Sequence, residues 1–518
     1  MTIRLPTNII WHGLTAMGAL TVAMEGNAQN YVASELPRED AGSVLYEDMD
    51  GDGRSDVIIP AWSQEAGREL LVYLQQADGR FPAQPSRRVE IKPEIIAIGL
   101  ADLRPEPGKE VLLFTSSAVF SLSSTIPSYT GNLKPLFDWD FAATVPDRRR
   151  VLVLPDITDM DGDGYPDLML PGRSEHGFFR GGPDEQFTLA HRFNPLNPDL
   201  DPSEIPLGET GLDTRFALNA REGIVLQVRA ETTSAFADLL SSPDDVQSGA
   251  LLEIDQWLPA TVRTDMNGDG LDDLVYLNIG NDLRGQLNIL LQQDSGFASQ
   301  PDWQGSLDVR GDLRLFDVDG DGRADLLRIV DNSNEWNVQF YLNRDGRFDF
   351  SSADQVLRFS GYDLTLAAMD LDGDGRHELS VSYYTIPVVN AVRNANIVRS
   401  QLLFSPAGAN AGQIFNARPD YRLDETFSAA EVRGLGVQMH LDADLNGDGR
   451  NDAIQLGNDG TLIARAIDSG LQIAAQPFWQ YVPQRSILNF VVRDMNGDAT
   501  PDLLLSHSTH MTVLVSMP

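Results

Sequence analysis

The sequence predicts an all-β fold, a closed β-propeller of about eight four-stranded blades. A nine-residue acidic motif recurs seven times along the 518 residues. Its usual spacing of roughly 53 residues is the length of one propeller blade. Each interval contains about four short segments rich in β-branched and aromatic residues, bounded by Asp, Asn and Gly, while helical periodicity is almost absent.

The motif has Asp at position 1, Asp or Asn at position 3, Gly at position 4, Asp at position 5 and an acid at position 9. Its seven copies begin at residues 48, 159, 265, 317, 370, 444 and 494, and an eroded eighth copy spans Asp102 to Glu110. The third and fourth blade-length units are separated by 106 residues, so a ninth unit without the motif is expected near Arg215 to Gly223, inside an irregular region at 195–259. An insertion is expected within about 384–425. Seven or nine blades therefore remain possible beside eight.

Individual units support the four-strand count. The unit that starts at Arg310 contains strand-like segments at 313–317, 326–330, 336–342 and 354–359. After the third segment, several units carry a polar turn with Gly that ends in an aromatic residue, at Phe81, Phe297 and Phe348. We expect these rings to pack between neighbouring sheets.

The two ends of the repeat array indicate ring closure. The last unit has only three strand-like segments and ends with 511–515, whereas Tyr31 to Pro37 precedes the first complete unit. An N-terminal strand could therefore complete the last blade and remove its open edge. The alternative is an open array or a β-solenoid.

Composition excludes several classes of function. With 76 acidic and 39 basic residues the net charge is −37, which argues against a general binder of nucleic acid or of anionic membranes. The chain has no cysteine, which excludes disulfides, thiolate metal sites and a cysteine nucleophile. Much of the acidic excess is clustered at fixed spacing, and this points to bound cations.

Residues 1–28 resemble a secretory signal peptide. Arg4 is followed by an apolar stretch from Leu14 to Met24 and by Gly26-Asn27-Ala28, a small-x-small cleavage site. That stretch is too short to span a bilayer, and no later segment reaches the length of a span. We therefore expect a single propeller domain at 29–518 that is secreted, periplasmic or at the cell surface.

The acidic motif suits a hard cation. Carboxylates at positions 1, 3 and 5 converge in a tight turn, Gly at position 6 permits that turn, and the carbonyl of position 7 and the acid at position 9 complete an oxygen cage. Oxygen ligands alone favour Ca²⁺ over Mg²⁺ or zinc. An EF-hand is excluded because it needs Glu at position 12, where this chain has Ile59, Leu170, Tyr276, Arg328, Val381, Gln455 and Leu505. Ordinary solvated turns are the alternative, but the 25 carboxylates at positions 1, 3, 5 and 9 of the seven loops would repel one another without a counterion.

These loops and the Gly-Phe hairpins resemble the FG-GAP or VCBS-type repeat propellers, whose relatives include the integrin α-subunit heads. The resemblance covers nearly the whole chain after residue 28 and implies about seven Ca²⁺ ions on one face of the disc. Two departures stand out: Ala499 replaces Gly at position 6 of the last loop, and Arg104 at position 3 of the eroded copy is expected to stand in for a metal. The ligands that the resemblance implies are Asp48, Asp50, Asp52, Arg54 and Asp56; Asp159, Asp161, Asp163, Tyr165 and Asp167; Asp265, Asn267, Asp269, Leu271 and Asp273; Asp317, Asp319, Asp321, Arg323 and Asp325; Asp370, Asp372, Asp374, Arg376 and Glu378; Asp444, Asn446, Asp448, Arg450 and Asp452; and Asp494, Asn496, Asp498, Thr500 and Asp502.

Two classes of function fit this architecture. The first is a non-catalytic binding, adhesion or scaffold module for a protein or glycan outside the cytoplasm. The second is a carbohydrate-active enzyme that resembles propeller polysaccharide lyases and uses a central cleft, which would need a base and a group to neutralise a uronate. The six histidines after residue 28 are scattered through different units, and no nucleophile elbow, phosphate loop or zinc motif occurs. The sequence therefore favours the binding module, and Arg310-Gly-Asp312 is interpreted as a chance match to an adhesion tripeptide.

Overall fold

A computed structural model describes most of residues 30–517, and every structural statement below refers to these residues. The ranges that it leaves out are 39–43, 127–128, 142–148, 155–156, 173–174, 194–261, 280–283, 294–295, 309, 332–334, 386–395, 409–411, 429–436 and 458, together with 1–29 and 518. The predicted signal peptide and the expected ninth unit near 215–223 therefore lie outside the described residues.

The strands form eight blades in chain order. Blade 1 contains β2 (Leu45–Glu47), β3 (Asp56–Ser63), β4 (Gly67–Tyr73) and β5 (Arg87–Ile91). Blade 2 contains β6 (Ala97–Ala101), β7 (Glu110–Phe114), β8 (Ala118–Ser123), β9 (Lys134–Asp138) and β10 (Leu152–Val153). Blade 3 contains β11 (Leu168–Pro171), β12 (His176–Arg180) and β13 (Thr188–Phe193), with a short 3₁₀ helix at Pro183–Glu185. Blade 4 contains β14 (Val262–Thr264), β15 (Asp273–Ile279), β16 (Arg284–Leu290) and β19 (Trp303–Asp308), beside the hairpin of β17 (Gln292–Gln293) and β18 (Gly296–Phe297).

The second half of the chain is more regular. Blade 5 contains β20 (Asp312–Phe316), β21 (Asp325–Asp331), β22 (Glu335–Tyr341) and β23 (Gln355–Ser360). Blade 6 contains β24 (Tyr362–Met369), β25 (Glu378–Thr385), β26 (Asn396–Phe404) and β27 (Tyr421–Ser428). Blade 7 contains β28 (His440–Ala443), β29 (Asp452–Leu456), β30 (Leu462–Ala466) and β31 (Trp479–Tyr481). Blade 8 combines β1 (Asn30–Pro37) with β32 (Asn489–Arg493), β33 (Asp502–Ser506) and β34 (His510–Met517).

Blade 8 closes the ring as the sequence predicts. The N-terminal strand β1 pairs antiparallel with the C-terminal strand β34, from Asn30 opposite Met517 to Pro37 opposite His510. Leu36 is fully buried and belongs to an apolar cluster that also contains Val57 of blade 1. The first and last described strands are therefore held together in one sheet, and β1 covers the edge of β34 that would otherwise be exposed.

Apolar clusters join each blade to the next, and together they complete a ring of eight. Blades 3 and 4 are in direct contact, because Met160 and Phe178 pack against Leu274 and Tyr276. The amide of Gln292 in blade 4 also donates to the carbonyl of Met160 at 2.7 Å. Among the described residues, no further blade therefore lies between blades 3 and 4. The prediction of an eight-bladed propeller is confirmed, and an open array is excluded.

Blades 2 and 3 depart from the regular four-stranded pattern, and blade 6 keeps it. In blade 2 the fifth strand β10 pairs parallel with β6, and in blade 3 an isolated bridge from Thr158 to Asp167 takes the place of a first strand. In blade 6 the range 384–425 contains β26 and the start of β27, and the β25–β26 tip falls outside the described residues. The expected aromatic packing is present, since Phe81 and Phe348 are buried in clusters between neighbouring blades. The described residues contain no helix that is long and apolar enough to cross a membrane.

Candidate cation-binding loops

All seven motif loops and the eroded copy occupy the same place in their blades. In blades 1 and 4 to 8 each loop connects the first and second strands, and in blade 3 it connects the Thr158 bridge to β11. The acid at position 9 lies at or next to the start of the second strand in every case. The loops therefore lie at one end of the propeller, called the loop face here. It comprises 48–56, 102–110, 159–167, 265–273, 317–325, 370–378, 444–452 and 494–502.

The aspartate at position 1 builds the turn. In the first loop, Asp48 Oδ1 accepts a hydrogen bond from the backbone N–H of Gly51 at 2.6 Å, and Oδ2 accepts one from Gly53 at 2.8 Å. The same two bonds recur in all seven loops, at 2.6–2.8 Å from position 4 and at 2.7–2.9 Å from position 6. This carboxylate therefore folds the loop in addition to any role as a ligand.

Positions 4 and 6 both adopt left-handed backbone conformations. Gly51 has φ 76° and Gly53 has φ 84°, a region that side chains disfavour. Ala499 occupies position 6 of the last loop at φ 64°, so that loop carries local strain. In two loops position 4 has a further constraint that the motif spacing did not indicate. A Cβ on Gly51 would lie 2.4 Å from the Cβ of Pro107 in blade 2, and a Cβ on Gly373 would lie 2.7 Å from the carbonyl oxygen of Gly449 in blade 7. The positive φ, by contrast, is shared by position 4 in all seven loops.

The acid at position 9 is buried and anchors the loop to its blade. Asp56 is 1% exposed, and its two oxygens accept hydrogen bonds from the N–H groups of Met49 and Gln75, both at 2.8 Å. The bond from position 2 recurs in all seven loops at 2.6–3.1 Å. Burial raises the pKa of Asp56 to about 6 and that of Asp325 to about 8. Desolvation thus penalises the negative charge at this position, and a nearby cation would offset that penalty.

Four loops bring three carboxylates together. In each of them, one oxygen from each acid lies within 4.8 Å of the others, and the groups are Asp48, Asp50 and Asp56; Asp159, Asp161 and Asp167; Asp317, Asp319 and Asp325; and Asp370, Asp372 and Asp374. Asp50 Oδ1 is buried and has no hydrogen-bond partner among the described residues. Burial and the repulsion from Asp52 and Asp48 raise the pKa of Asp50. Converging hard oxygens, one of them buried without a donor, fit a divalent cation.

The three loops with Asn at position 3 differ. Asn267 and Asn496 donate their amides to the carboxylates at position 5 of their own loops, Asp269 and Asp498, at 2.9 and 3.0 Å. Asn446 instead donates to Asp452 at 2.9 Å. These amides partly satisfy the acids that a cation would otherwise neutralise, and each of these loops has one carboxylate fewer at the motif positions 1, 3, 5 and 9.

Basic side chains contact the loop acids at several points. The arginine at position 7 pairs with the aspartate at position 5 in four loops, namely Arg54–Asp52, Arg323–Asp321, Arg376–Asp374 and Arg450–Asp448. In blade 3, Arg180 pairs with Asp161. From the sequence, only the backbone carbonyl of position 7 was expected to contribute to a cation site. The side chain at position 7 matters as well, because it would compete with a cation for the position 5 carboxylate.

In the eroded loop of blade 2, the buried guanidinium of Arg104 joins neighbouring elements. It donates to Ser121 at 2.8 Å, to the side-chain oxygen of Asn132 at 3.2 Å and to Glu185 of blade 3 at 3.2 Å. These contacts tie blade 2 to blade 3, and the positive charge also acts to lower the pKa of Glu110 at position 9, which burial raises. Glu110 accepts a hydrogen bond from the N–H of Leu103 at position 2, at 3.0 Å, as the position 9 acids of the other loops do.

Backbone hydrogen bonds also link four of the loops to the loop of the preceding blade. The N–H at position 8 donates to a carbonyl at position 1 or 2 of the preceding blade's loop, from Ser55 to Met495 at 2.7 Å, Lys109 to Asp48 at 3.1 Å, Ala324 to Asp265 at 3.1 Å and Asn451 to Leu371 at 3.2 Å. In blade 6 the ring of His377 contacts the carbonyl of Asp317 at 3.0 Å. The loops are therefore connectors between blades, which no local sequence pattern indicated.

Other residues singled out in the sequence have structural roles. His176 is buried in β12, and the ring of His440 stacks on Phe490 at 4.4 Å between centroids. In the Arg-Gly-Asp segment, Arg310 pairs with Asp308 and Asp312 pairs with Arg314 at 2.6 Å. Both charged ends of the tripeptide are thus engaged within the propeller.

Comparison with known proteins gave three results. Residues 317–381, from the loop of blade 5 into β25, match the model of an FG-GAP-like repeat. No curated protein matches the chain. Among solved structures, the WD40 domain of SCAP from fission yeast is similar with 8% identity over 94% of this chain and 98% of that chain, at a TM-score of 0.37. A protein from Lactobacillus plantarum is similar with 8% identity over 86% of this chain and 98% of that chain, at a TM-score of 0.31. The matched repeat and the closed ring of blades together support an FG-GAP-type repeat β-propeller.

Proposed function

We propose that this propeller is a non-catalytic binding module that acts outside the cytoplasm and whose loops are stabilised by bound Ca²⁺. The observation that carries the proposal is the convergence of three acids in each of four loops, with a buried oxygen of Asp50 that lacks a hydrogen-bond donor among the described residues. Positions 1, 3, 5 and 9 and the carbonyl of position 7 would hold the ion. Bound Ca²⁺ would supply positive charge and orientation, because flexible oxygen cages suit this cation.

The loop contacts between blades give the cation a structural purpose. Four backbone hydrogen bonds join loops of neighbouring blades, so fixing such a loop also fixes an interface between two blades. A cation that binds only the folded state adds its binding free energy to stability. We expect calcium to hold the ring together.

A binding role is favoured over catalysis by the distribution of reactive side chains. Among the described residues, the histidines are divided among blades 3, 6, 7 and 8, and the rings of His176, His377 and His440 take part in packing or loop contacts. FG-GAP propellers are generally protein-binding, and the signal-like N-terminus is consistent with export. A protein or a glycan outside the cytoplasm is therefore the proposed partner.

Calcium stoichiometry tests the proposal. Metal-free protein titrated with Ca²⁺ by calorimetry should bind about seven ions, and Asp319→Ala should bind one fewer because it removes the side-chain ligand at position 3. Asp349→Ala is the matched control, since this carboxylate is in the same blade, is fully exposed and lies outside the loop. A wild-type stoichiometry of zero, or an equal stoichiometry for Asp319→Ala and wild type, would refute the calcium assignment.

A further inference from the structure

A groove between blades 4 and 5 lies apart from the loop face. Its cavity volume is about 380 Å³, and β16, β19, β21 and β22 contribute to its walls. The charged residues that line it are Arg284, Asp308, Arg310 and Arg328. None of them belongs to a motif loop, and the proposed function leaves this groove without a role.

The groove is basic on a strongly acidic protein. Three guanidinium groups against one carboxylate give its lining a formal charge of +2, whereas the whole chain carries −37. A local positive potential surrounded by negative surface draws small anions to one place and repels them elsewhere. This contrast indicates an anionic ligand.

Asp308 fixes two of the guanidiniums in place. Its carboxylate oxygens accept hydrogen bonds from Arg310 Nε at 2.9 and 3.0 Å, and its carbonyl accepts one from Arg328 Nη1 at 3.2 Å. Arg328 Nε is buried and has no hydrogen-bond partner among the described residues. Guanidiniums that are already oriented lose little conformational entropy when they bind a carboxylate.

Aromatic side chains form the apolar part of the wall. Tyr341 and Phe350 both line the groove, with ring centroids 5.4 Å apart, and Ser306 adds a hydroxyl. A cavity of this size is at the lower end of the range for small-molecule sites. Guanidiniums, a hydroxyl and apolar ring surface side by side match a small molecule with an acidic group, hydroxyls and a C–H face.

We propose that this groove binds a carboxylated sugar, with the carboxylate held by the arginines and the ring beside Tyr341 and Phe350. The proposal deepens the proposed function as a binding module, on which it rests, by naming a ligand class. It does not depend on calcium in the loops, because no lining residue lies on the loop face. Failure of calcium binding and failure of sugar binding are therefore separate results.

The test is calorimetric titration of the full chain with galacturonate and, in parallel, with galactose. Galacturonate should bind and galactose should bind at least tenfold more weakly. Arg310→Gln, at a largely exposed side chain, should weaken galacturonate binding at least tenfold and leave thermal unfolding unchanged. Arg284→Gln, also at an exposed residue, is a second variant in case the first disturbs β19 or β20. Arg344→Gln is the matched control, because it removes an arginine charge from the same blade outside the groove and should change affinity less than twofold.

Three outcomes would overturn the proposal. Equal binding of galacturonate and galactose would exclude recognition of the acid. Equal binding of inorganic sulfate and galacturonate would show that the groove takes any anion and does not recognise a sugar. Binding of a glutamate-rich peptide without binding of galacturonate would assign the groove to a protein partner instead.

Discussion

The acid at position 9 should stabilise the fold even without a cation, and Asp56→Asn tests this. The carboxylate is 1% exposed and accepts hydrogen bonds from Met49 and Gln75 on its two oxygens. An asparagine keeps one acceptor and places an NH₂ group against the other N–H. One buried donor then loses its partner, which costs about 1–3 kcal/mol. In chelator at pH 8, above the pKa of about 6, the wild-type carboxylate carries a charge that burial penalises, and Asp56→Asn removes that charge. The variant should therefore lose stability, by less than the full cost of the unpaired donor.

Asp50→Asn is the matched comparison in the same loop. Asp50 Oδ1 has no hydrogen-bond partner among the described residues, and neighbouring acids repel its charge, so neutralising it should cost less than about 0.5 kcal/mol in chelator. Urea unfolding followed by tryptophan fluorescence measures both variants, and hydrogen exchange of the Met49 and Gln75 amides localises the effect. If Asp56→Asn matches wild type in chelator, the position 9 acid has no structural role of its own. The reasoning from its two hydrogen bonds would then be wrong.

Four further outcomes are expected. Leu36→Ala empties a fully buried site where β1 closes the ring, and should lower the free energy of unfolding by about 2–5 kcal/mol in urea titrations. Ala499→Gly relieves a left-handed backbone at φ 64° and should raise the thermal midpoint, by about 1 kcal/mol of stability. Burial lowers the pKa of His176 to about 4, so stability should fall as the pH drops from about 6.5 to 4, and His176→Leu should flatten that dependence in pH-dependent melts. Calcium titrations should resolve four tighter sites, where three acids converge, and three weaker ones with Asn at position 3.

The repeat made the fold predictable from the sequence. A period near blade length, four strand-like segments per unit and a spare N-terminal strand each constrain the topology independently, and β1 pairs with β34 as expected. The blade count was harder, because the long interval before residue 265 has no motif by which to divide it. Contacts in the folded ring, such as that of Phe178 with Leu274, show that blades 3 and 4 are neighbours. Local sequence patterns predict which strands belong to one blade. They do not predict which blades are in contact when a long segment separates them in the sequence.

The loop roles were only partly predictable. Alternating acids identify oxygen ligands because spacing along one turn fixes which side chains converge. The backbone bonds of Asp48 and the burial of Asp56 depend on how the loop docks onto its blade, so spacing alone cannot separate an anchor from a ligand. The groove between blades 4 and 5 could not be predicted from the sequence for a similar reason. Arg284 and Arg328 lie on different blades and meet only in the folded ring.

The eroded loop of blade 2 keeps the position 9 anchor but lacks the position 3 acid, whereas the other loops have an acid or Asn at position 3 together with the anchor. It has lost the acid at position 3 and the glycines at positions 4 and 6, and Arg104 points out to Ser121, Asn132 and Glu185. It nevertheless keeps Glu110, which is 2% exposed and accepts hydrogen bonds from the N–H groups of Leu103 and Arg104. Because the loop still donates to its neighbour through Lys109, the position 9 acid and the link between blades persist in a loop with no acid at position 3. Position 9 is therefore primarily a requirement of the propeller, whereas position 3 varies among Asp, Asn and Arg without loss of the blade.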